Sequence, residues 1–319
     1  MEKRPKSCPA FKTMCGGQAL IEGIMMRGPK KQAIVVRRPD GGLEIREEEL
    51  KLVKDKNPIW GLPFIRGVVN FLDSMVQGVK ALMFSADYYP EEEGEEEEPS
   101  KFDQWLEKHL GSEKAYSVIV TLAVIMGVGF SVGLFFVLPT LLVSLLAPVL
   151  PYYWLRSLLE GVVRIILFLC YLILCSRMKD MKRVFAYHGA EHKTIFCYEA
   201  GLELTVENVR GQPKHHPRCG TSFLFVIMMV SILVFAFVRA DSPLTRLISR
   251  LVLLPVVVGI TYEINRYVGR HDNIVTRIMT APGLWLQNFT TNEPDDSMIE
   301  VGIEALKLVL PEEKGADKW

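Results

Sequence analysis

Apolar residues follow different periods in different parts of this chain, and each period predicts a different kind of element. Two short runs, Ala33–Arg38 and Leu43–Arg46, flank Pro39-Asp40-Gly41-Gly42. This predicts a β-hairpin whose glycines supply the positive φ of the turn. From Leu62 to Ala86, the residues Ile65, Val68, Val69, Leu72, Met75, Val76, Val79, Leu82 and Met83 share one face of a helix. That helix either packs on a soluble unit or lies in the plane of a bilayer, with Trp60 and Gly61 at its entrance. Further on the period disappears. No Asp, Glu, Lys or Arg occurs from Ala115 to Leu155, whereas one bilayer crossing needs only about 20 apolar residues.

Four segments read as membrane helices: Ala115–Leu138, Leu158–Ser176, Ser222–Val238 and Leu247–Tyr262. The last carries Pro255 within it and Arg246, Arg250 and Glu263 near its ends, so it is expected to be kinked or shielded by other helices. The expected fold class is therefore membrane α-helical, with a small cytoplasmic α+β unit at the N-terminus. Residues 1–57 would form that unit and 58–89 the amphipathic helix. Residues 90–114 would be an acidic linker, because like charges in Glu91–Glu98 repel and keep the chain extended. Residues 115–176 would hold the first two membrane helices, 177–221 a His-rich loop, 222–263 the third and fourth helices, and 264–319 a cytoplasmic C-terminal segment.

Charge sets the orientation. Arg177, Lys179, Lys182 and Arg183 follow the second helix, and Arg266, Arg270 and Arg277 follow the fourth. The positive-inside tendency puts both groups, and both termini, in the cytoplasm. Residues 139–154, with Pro139, Pro148 and Pro151, suit a re-entrant or interfacial segment on the other side. The N-terminus is basic but has no apolar stretch behind it, so it does not read as a cleavable signal peptide. The chain's 37 basic and 37 acidic residues balance, which gives no argument for a nucleic-acid partner. Its six cysteines have no disulfide-framework spacing, and reduced thiols are expected.

One segment concentrates reactive side chains. Tyr187-His188-Gly189-Ala190-Glu191-His192 contains H-x-x-E-H, which on a helix puts His188 and His192 one turn apart on one face, with Glu191 beside them. Two imidazoles so placed can share a zinc ion, and the glutamate can act as a base. The same loop holds four of the six histidines and supplies His216 or Cys219 as a third ligand. His271 and Asp272 return to the same side and would complete or orient the site. A non-metal network of these histidines with Glu191 and backbone carbonyls is the competing expectation. Near the N-terminus, Glu22 and Arg27 flank an apolar stretch and would face the His-rich loop or a ligand, or else form a surface ion pair. Glu160 and Arg164, four residues apart, read as a mutually neutralising pair near the exported end.

Several longer segments carry a resemblance: GGQALIEGIMMRGP, YHGAEHKTIFCYEAG followed by LTVENVR, HPRCGTSF, GRHDN, and PGLWLQNFTTNEPDDSMIEVGIEAL. From about Cys15 to Leu310 the chain resembles the bacterial YqhQ-like membrane protein family. The resemblance implies a multi-pass protein of the bacterial inner (plasma) membrane, described only as a metal-dependent enzyme of unassigned chemistry. Its distinctive segments match here at Glu22, Arg27, His188, Glu191, His192, His216, Arg218, Cys219, His271, Asp272 and Glu293. The sequence thus leads to a divalent metal, zinc by ligand type, at the cytoplasmic membrane face. Glu191 would be the base and Arg27 or Arg218 the anion-binding group, acting on a membrane-associated peptide or lipid headgroup. The alternative is a non-catalytic biogenesis or scaffold factor that binds a protein partner on that face. A transporter would require Glu160, Arg164, Glu263 and Asn265 to converge.

Overall fold

The structure is a computed structural model that describes residues 11–50, 58–88, 109, 111–146, 148–149, 152–239, 242–313 and 315–318. The expected acidic linker at Glu91–Glu98 lies outside the described residues. The chain divides into two compact units, one of residues 1–89, 170–234 and 253–319, the other of residues 90–169 and 235–252.

In the first unit, four strands form an antiparallel meander in sequence order: β1 (Gly16–Leu20), β2 (Gly23–Arg27), β3 (Lys31–Arg37) and β4 (Leu43–Glu49). The β3–β4 hairpin closes through the expected turn, with Gly41 at φ 85° and Arg37 opposite Leu43. Both faces of the sheet are covered, which explains why β2 and β3 are nearly continuous apolar runs. Ile24, Met26, Ala33 and Val35 point to one side, into a core shared with Tyr187, Ala190, Val301 and Leu306. Leu20, Met25, Ile34 and Val36 point to the other, against Ala81.

The helices that cover the sheet come from distant parts of the chain. Ala81 belongs to α1 (Ile65–Ala86). The opposite face receives α5 (Lys179–Glu199) and the C-terminal α10 (Asp296–Val309). Asp295 caps α10 by accepting the Met298 N–H at 3.0 Å. A short helix, α6 (Val206–Arg210), closes a smaller core of Cys197, Val209, Ile299 and Ile303.

The apolar helices are α2 (Ser112–Val132), α3 (Leu138–Leu145), α4 (Tyr153–Arg177), α7 (Gly220–Ala236) and α8 (Pro243–Arg270). Among the described residues, three stretches are long and apolar enough to cross a bilayer: Val118–Leu145, Tyr153–Arg177 and Pro243–Arg270. They make this a membrane protein. The shorter α7, at 17 residues, spans about 25 Å. The first stretch runs seven residues beyond the Leu138 expected from sequence, because a π-helical turn, Gly133–Val137, joins α2 to α3 through Pro139. Proline lacks the N–H that would bond four residues back. The Phe135 carbonyl accepts instead from Arg164 Nε at 2.7 Å.

That contact revises the expected Glu160–Arg164 pair. Glu160, fully buried in the second unit, is held by Arg246 at 2.8 Å and by Arg250, both from α8, while Arg164 also lies over the Phe136 ring. Helical spacing alone does not reveal partners on another helix. Glu263, in the first unit, is paired with Arg66. The remaining helix, α9 (Ile274–Thr290), starts with a reciprocal cap between Asn273 and Thr276.

A candidate metal centre at the His188, His192 and Cys219 cluster

The helical reading of H-x-x-E-H holds in the structure, where His188, Glu191 and His192 lie within α5. Helix α5 can bring this face close to its neighbours because its residues there are small. A side chain added at Gly189 would overlap the Asn292 carbonyl oxygen, and the strand backbone at Gly17 approaches Glu191 closely enough for its N–H to donate to Oε1 at 3.0 Å. Gly17 near the start of β1 therefore serves a close backbone approach to the candidate site.

Three potential ligand atoms, one each from His188, His192 and Cys219, lie within 4.8 Å of one another. His188 Nε2 is 3.1 Å from Cys219 Sγ. Each imidazole is oriented from behind by a backbone carbonyl: His188 Nδ1–H donates to Thr290 O at 2.8 Å, and His192 Nδ1–H donates to Lys214 O at 2.6 Å. Both bonds fix the tautomer that leaves the Nε2 lone pair free, the usual arrangement behind a metal-bound histidine. His192 Nε2 is buried and makes no hydrogen bond.

Electrostatics favour the same state. Burial pulls His192 down to about 4, so its ring is neutral at physiological pH. Burial alone would raise the Cys219 thiol, but neighbouring His192 and the Thr221 hydroxyl and N–H, 3.3 and 3.5 Å from Sγ, outweigh it and lower its pKa. Cys219 immediately precedes α7, where free helix N–H groups also favour a thiolate. Burial lifts Glu191 to about 7, against the opposing pull of His188 and the Gly17 N–H. Its Oε2 is buried without a hydrogen-bond partner.

His216, the other expected third ligand, turns elsewhere. Its Nε2 is 3.8 Å from Glu199 Oε2, and Glu199 also binds Arg218 and accepts the Thr13 N–H at 2.7 Å. Gln287 of α9 clamps the His216 backbone, accepting its N–H at 2.7 Å and donating to its carbonyl at 2.8 Å. Arg218 is thus an ion-pair partner of Glu199. His271 stacks on Tyr267 and donates to that residue's carbonyl at 2.9 Å, while Asp272 pairs with Arg277 at 3.0 Å; neither joins the three-residue group.

Glu22 occupies the β1–β2 turn at φ 50°, a left-handed conformation uncommon for a non-glycine residue, with its carboxylate on Arg183 and Tyr187. Arg27 pairs with Asp73 at 2.8 Å. Glu293 pairs with Lys193 at 2.8 Å. Four important groups were not singled out from sequence: the carbonyls of Thr290 and Lys214, and the side chains of Gln287 and Glu199. A polar Gln287 in an otherwise amphipathic helix was the available signal for one of them. Backbone carbonyls leave none.

The five described cysteines are free. Residues 62–312 match the family described as a protein of unknown function, DUF1385, a span that begins just before α1 and includes every member of the three-residue cluster. The uncharacterized protein YqhQ of Bacillus subtilis (strain 168) is 35% identical over 302 residues, covering 92% of each chain. No solved structure matches. By its match to that profile and to its Bacillus relative, the chain belongs to the DUF1385 family of YqhQ-like proteins.

Proposed function

We propose that this is a multi-pass membrane metalloenzyme, with both termini in the cytoplasm and a zinc-class cation held at the cytoplasmic membrane face by His188, His192 and Cys219. The observation that carries the proposal is the pairing of three clustered ligand atoms with two Nδ1–H groups already committed to carbonyls. Tetrahedral zinc places a nitrogen and a sulfur ligand about 3.5 Å apart, so the 3.1 Å between His188 Nε2 and Cys219 Sγ needs only a small adjustment. Three protein ligands leave one coordination position for a reactant.

A cation there would supply Lewis-acid polarisation of a carbonyl or phosphoryl oxygen. The other roles belong to the chain. Cys219 and the two imidazoles hold the site, and the carbonyls of Thr290 and Lys214 keep the rings aimed. Glu191 accepts a proton from an attacking water, and the burial that lifts its carboxyl to about 7 suits a base working near neutral pH. The reaction class is hydrolysis of a membrane-associated peptide or lipid headgroup. The basic residues Lys179, Lys182 and Arg183 directly after α4 support the cytoplasmic orientation.

A second reading, a structural cation in a non-catalytic biogenesis or scaffold factor, draws support from the burial of His192 and Cys219. Elemental analysis of detergent-purified protein, beside His188→Ala/His192→Ala and Cys219→Ser, tests the centre. Near-stoichiometric metal that the double variant loses supports it, and metal-free protein after reconstitution with zinc refutes it. Glu191→Gln then separates the readings. Retained metal with lost hydrolysis of a headgroup or peptide substrate supports the enzyme, and no hydrolysis by metal-loaded wild type across both substrate classes leaves the structural reading.

A further inference from the structure

Helices α1 and α9 bury the wrong residues for helices that face water. An amphipathic helix on a soluble protein turns its large apolar side chains inward. In α1 the buried residues are Gly67, Gly78, Ala81 and Ser85, while Ile65, Leu72, Met75, Val76, Val79 and Leu82 are exposed, Leu72 at 56% and Val76 at 54%. At 100° per residue these six fall within an arc of about 120°, away from the small buried residues. In α9 the buried set is Thr276, Thr280, Gly283, Leu286, Gln287 and Thr290, only one of them a large apolar residue, and the opposite face exposes Ile274, Ile278 and Trp285, with Ile278 at 68%.

We infer that both faces sit in lipid, with α1 and α9 lying in the membrane interface and their apolar sides against acyl chains. Continuity with the apolar helices selects the bilayer over a protein partner. Gly67 of α1 packs so tightly on α8 that an added Cβ would lie 2.6 Å from Tyr262 Cβ, and Phe71 meets Phe223 of α7 with ring centroids 5.9 Å apart. Gly283 of α9 packs on α7 in the same way, 2.6 Å from Ser222 Cα. The neighbouring exposed residues on those helices are themselves apolar: Leu224 on α7 and Val256 on α8.

Charge agrees with this placement. Arg66 is neutralised by Glu263, Asp73 by Arg27, and Arg277 by Asp272, which lowers the cost of bringing these helices to the interface. Exposed Lys80 can extend its ammonium to the headgroups. Ile59, Trp60, Leu62 and Phe64, which precede α1, are also exposed.

This placement does not depend on a bound metal, but it positions the candidate centre. Helix α9 offers the Thr290 carbonyl to His188 of the cluster on one side and Ile278 and Trp285 to lipid on the other. The cluster would lie about one helix diameter, roughly 10 Å, from the acyl region.

Photocrosslinking tests the inference on the full-length protein in vesicles of phosphatidylethanolamine and phosphatidylglycerol. A benzophenone amino acid replaces Val76 or Ile278, with Ile125 in an apolar span and Asp40 in the β3–β4 turn as references. All four positions are exposed, so the label should not disturb folding. Lipid adducts at Val76 and Ile278 comparable to Ile125 and about tenfold above Asp40 are expected. Adduct yields no greater than at Asp40, or crosslinks to a second protein chain in place of lipid, would overturn it. Quenching of Trp285 fluorescence by brominated acyl chains, read as the difference between wild type and Trp285→Phe, should give the same answer without a bulky label; no quenching difference would count against lipid contact by α9.

Discussion

Replacing Glu199 with glutamine should cost about 3 kcal/mol at neutral pH, and the loss should shrink in acid. The Glu199 side chain is almost fully buried, binds Arg218, and lies 3.8 Å from His216. Burial by itself would raise its pKa, but these partners outweigh burial and hold it at about 2, against an ordinary 4.5. The folded state therefore prefers the charged form, and the difference corresponds to about 3 kcal/mol. Because the folded pKa is depressed, this stabilisation is fully present above the unfolded pKa and is lost as pH falls toward the folded one. The window is about pH 4.5 down to 2, and roughly 1 kcal/mol should be gone by pH 3.5. Unfolding of wild type and Glu199→Gln in non-ionic detergent, followed by tryptophan fluorescence at pH 6 and 3.5, reads this directly. At pH 6 the variant should melt several degrees lower, and the gap should narrow at pH 3.5. A gap below about 1 kcal/mol at pH 6, or one unchanged between the two pH values, would refute the assignment of Glu199 as a charged buried partner.

Three further outcomes follow from the site. Gly189→Ala forces a methyl group into the Asn292 carbonyl, so it should destabilise the protein by about 1–3 kcal/mol and weaken zinc binding by moving the nearby Thr290 carbonyl that orients His188; calorimetry and metal titration check the two effects. Gln287→Leu leaves the buried His216 N–H without its acceptor and takes one of two donors from the His216 carbonyl, which keeps the Cys219 N–H; this should cost about 1–3 kcal/mol, measured by denaturant unfolding. At pH 6 the Glu191 carboxyl, with its pKa raised to about 7, is mostly protonated, and a nearby cation favours its ionised form. Zinc uptake by Glu191→Gln in weak buffer should therefore release about one proton fewer than uptake by wild type; equal release would place Glu191 out of electrostatic reach of the cation.

The apolar helices, the β-hairpin and the helical placement of the two histidines were legible in the sequence because each depends on local spacing. The uncharged run from Ala115 to Leu155 announces a membrane segment without tertiary information, the Pro39–Gly42 turn announces its hairpin, and H-x-x-E-H puts two imidazoles on one helix face. Tertiary structure decided everything that depends on what stands opposite. It chose Cys219 over His216 for the tight group, because Gln287 and Glu199 turn His216 away. It left His271 and Asp272 outside that group, and assigned Glu160 to two arginines of a distant helix instead of to Arg164 one turn away. It also reversed the usual sense of an amphipathic pattern, since α1 buries small residues and α9 mostly small and polar ones. Periodicity identifies a helix face. Only the neighbours of that face determine whether its large apolar side chains meet protein or are left exposed.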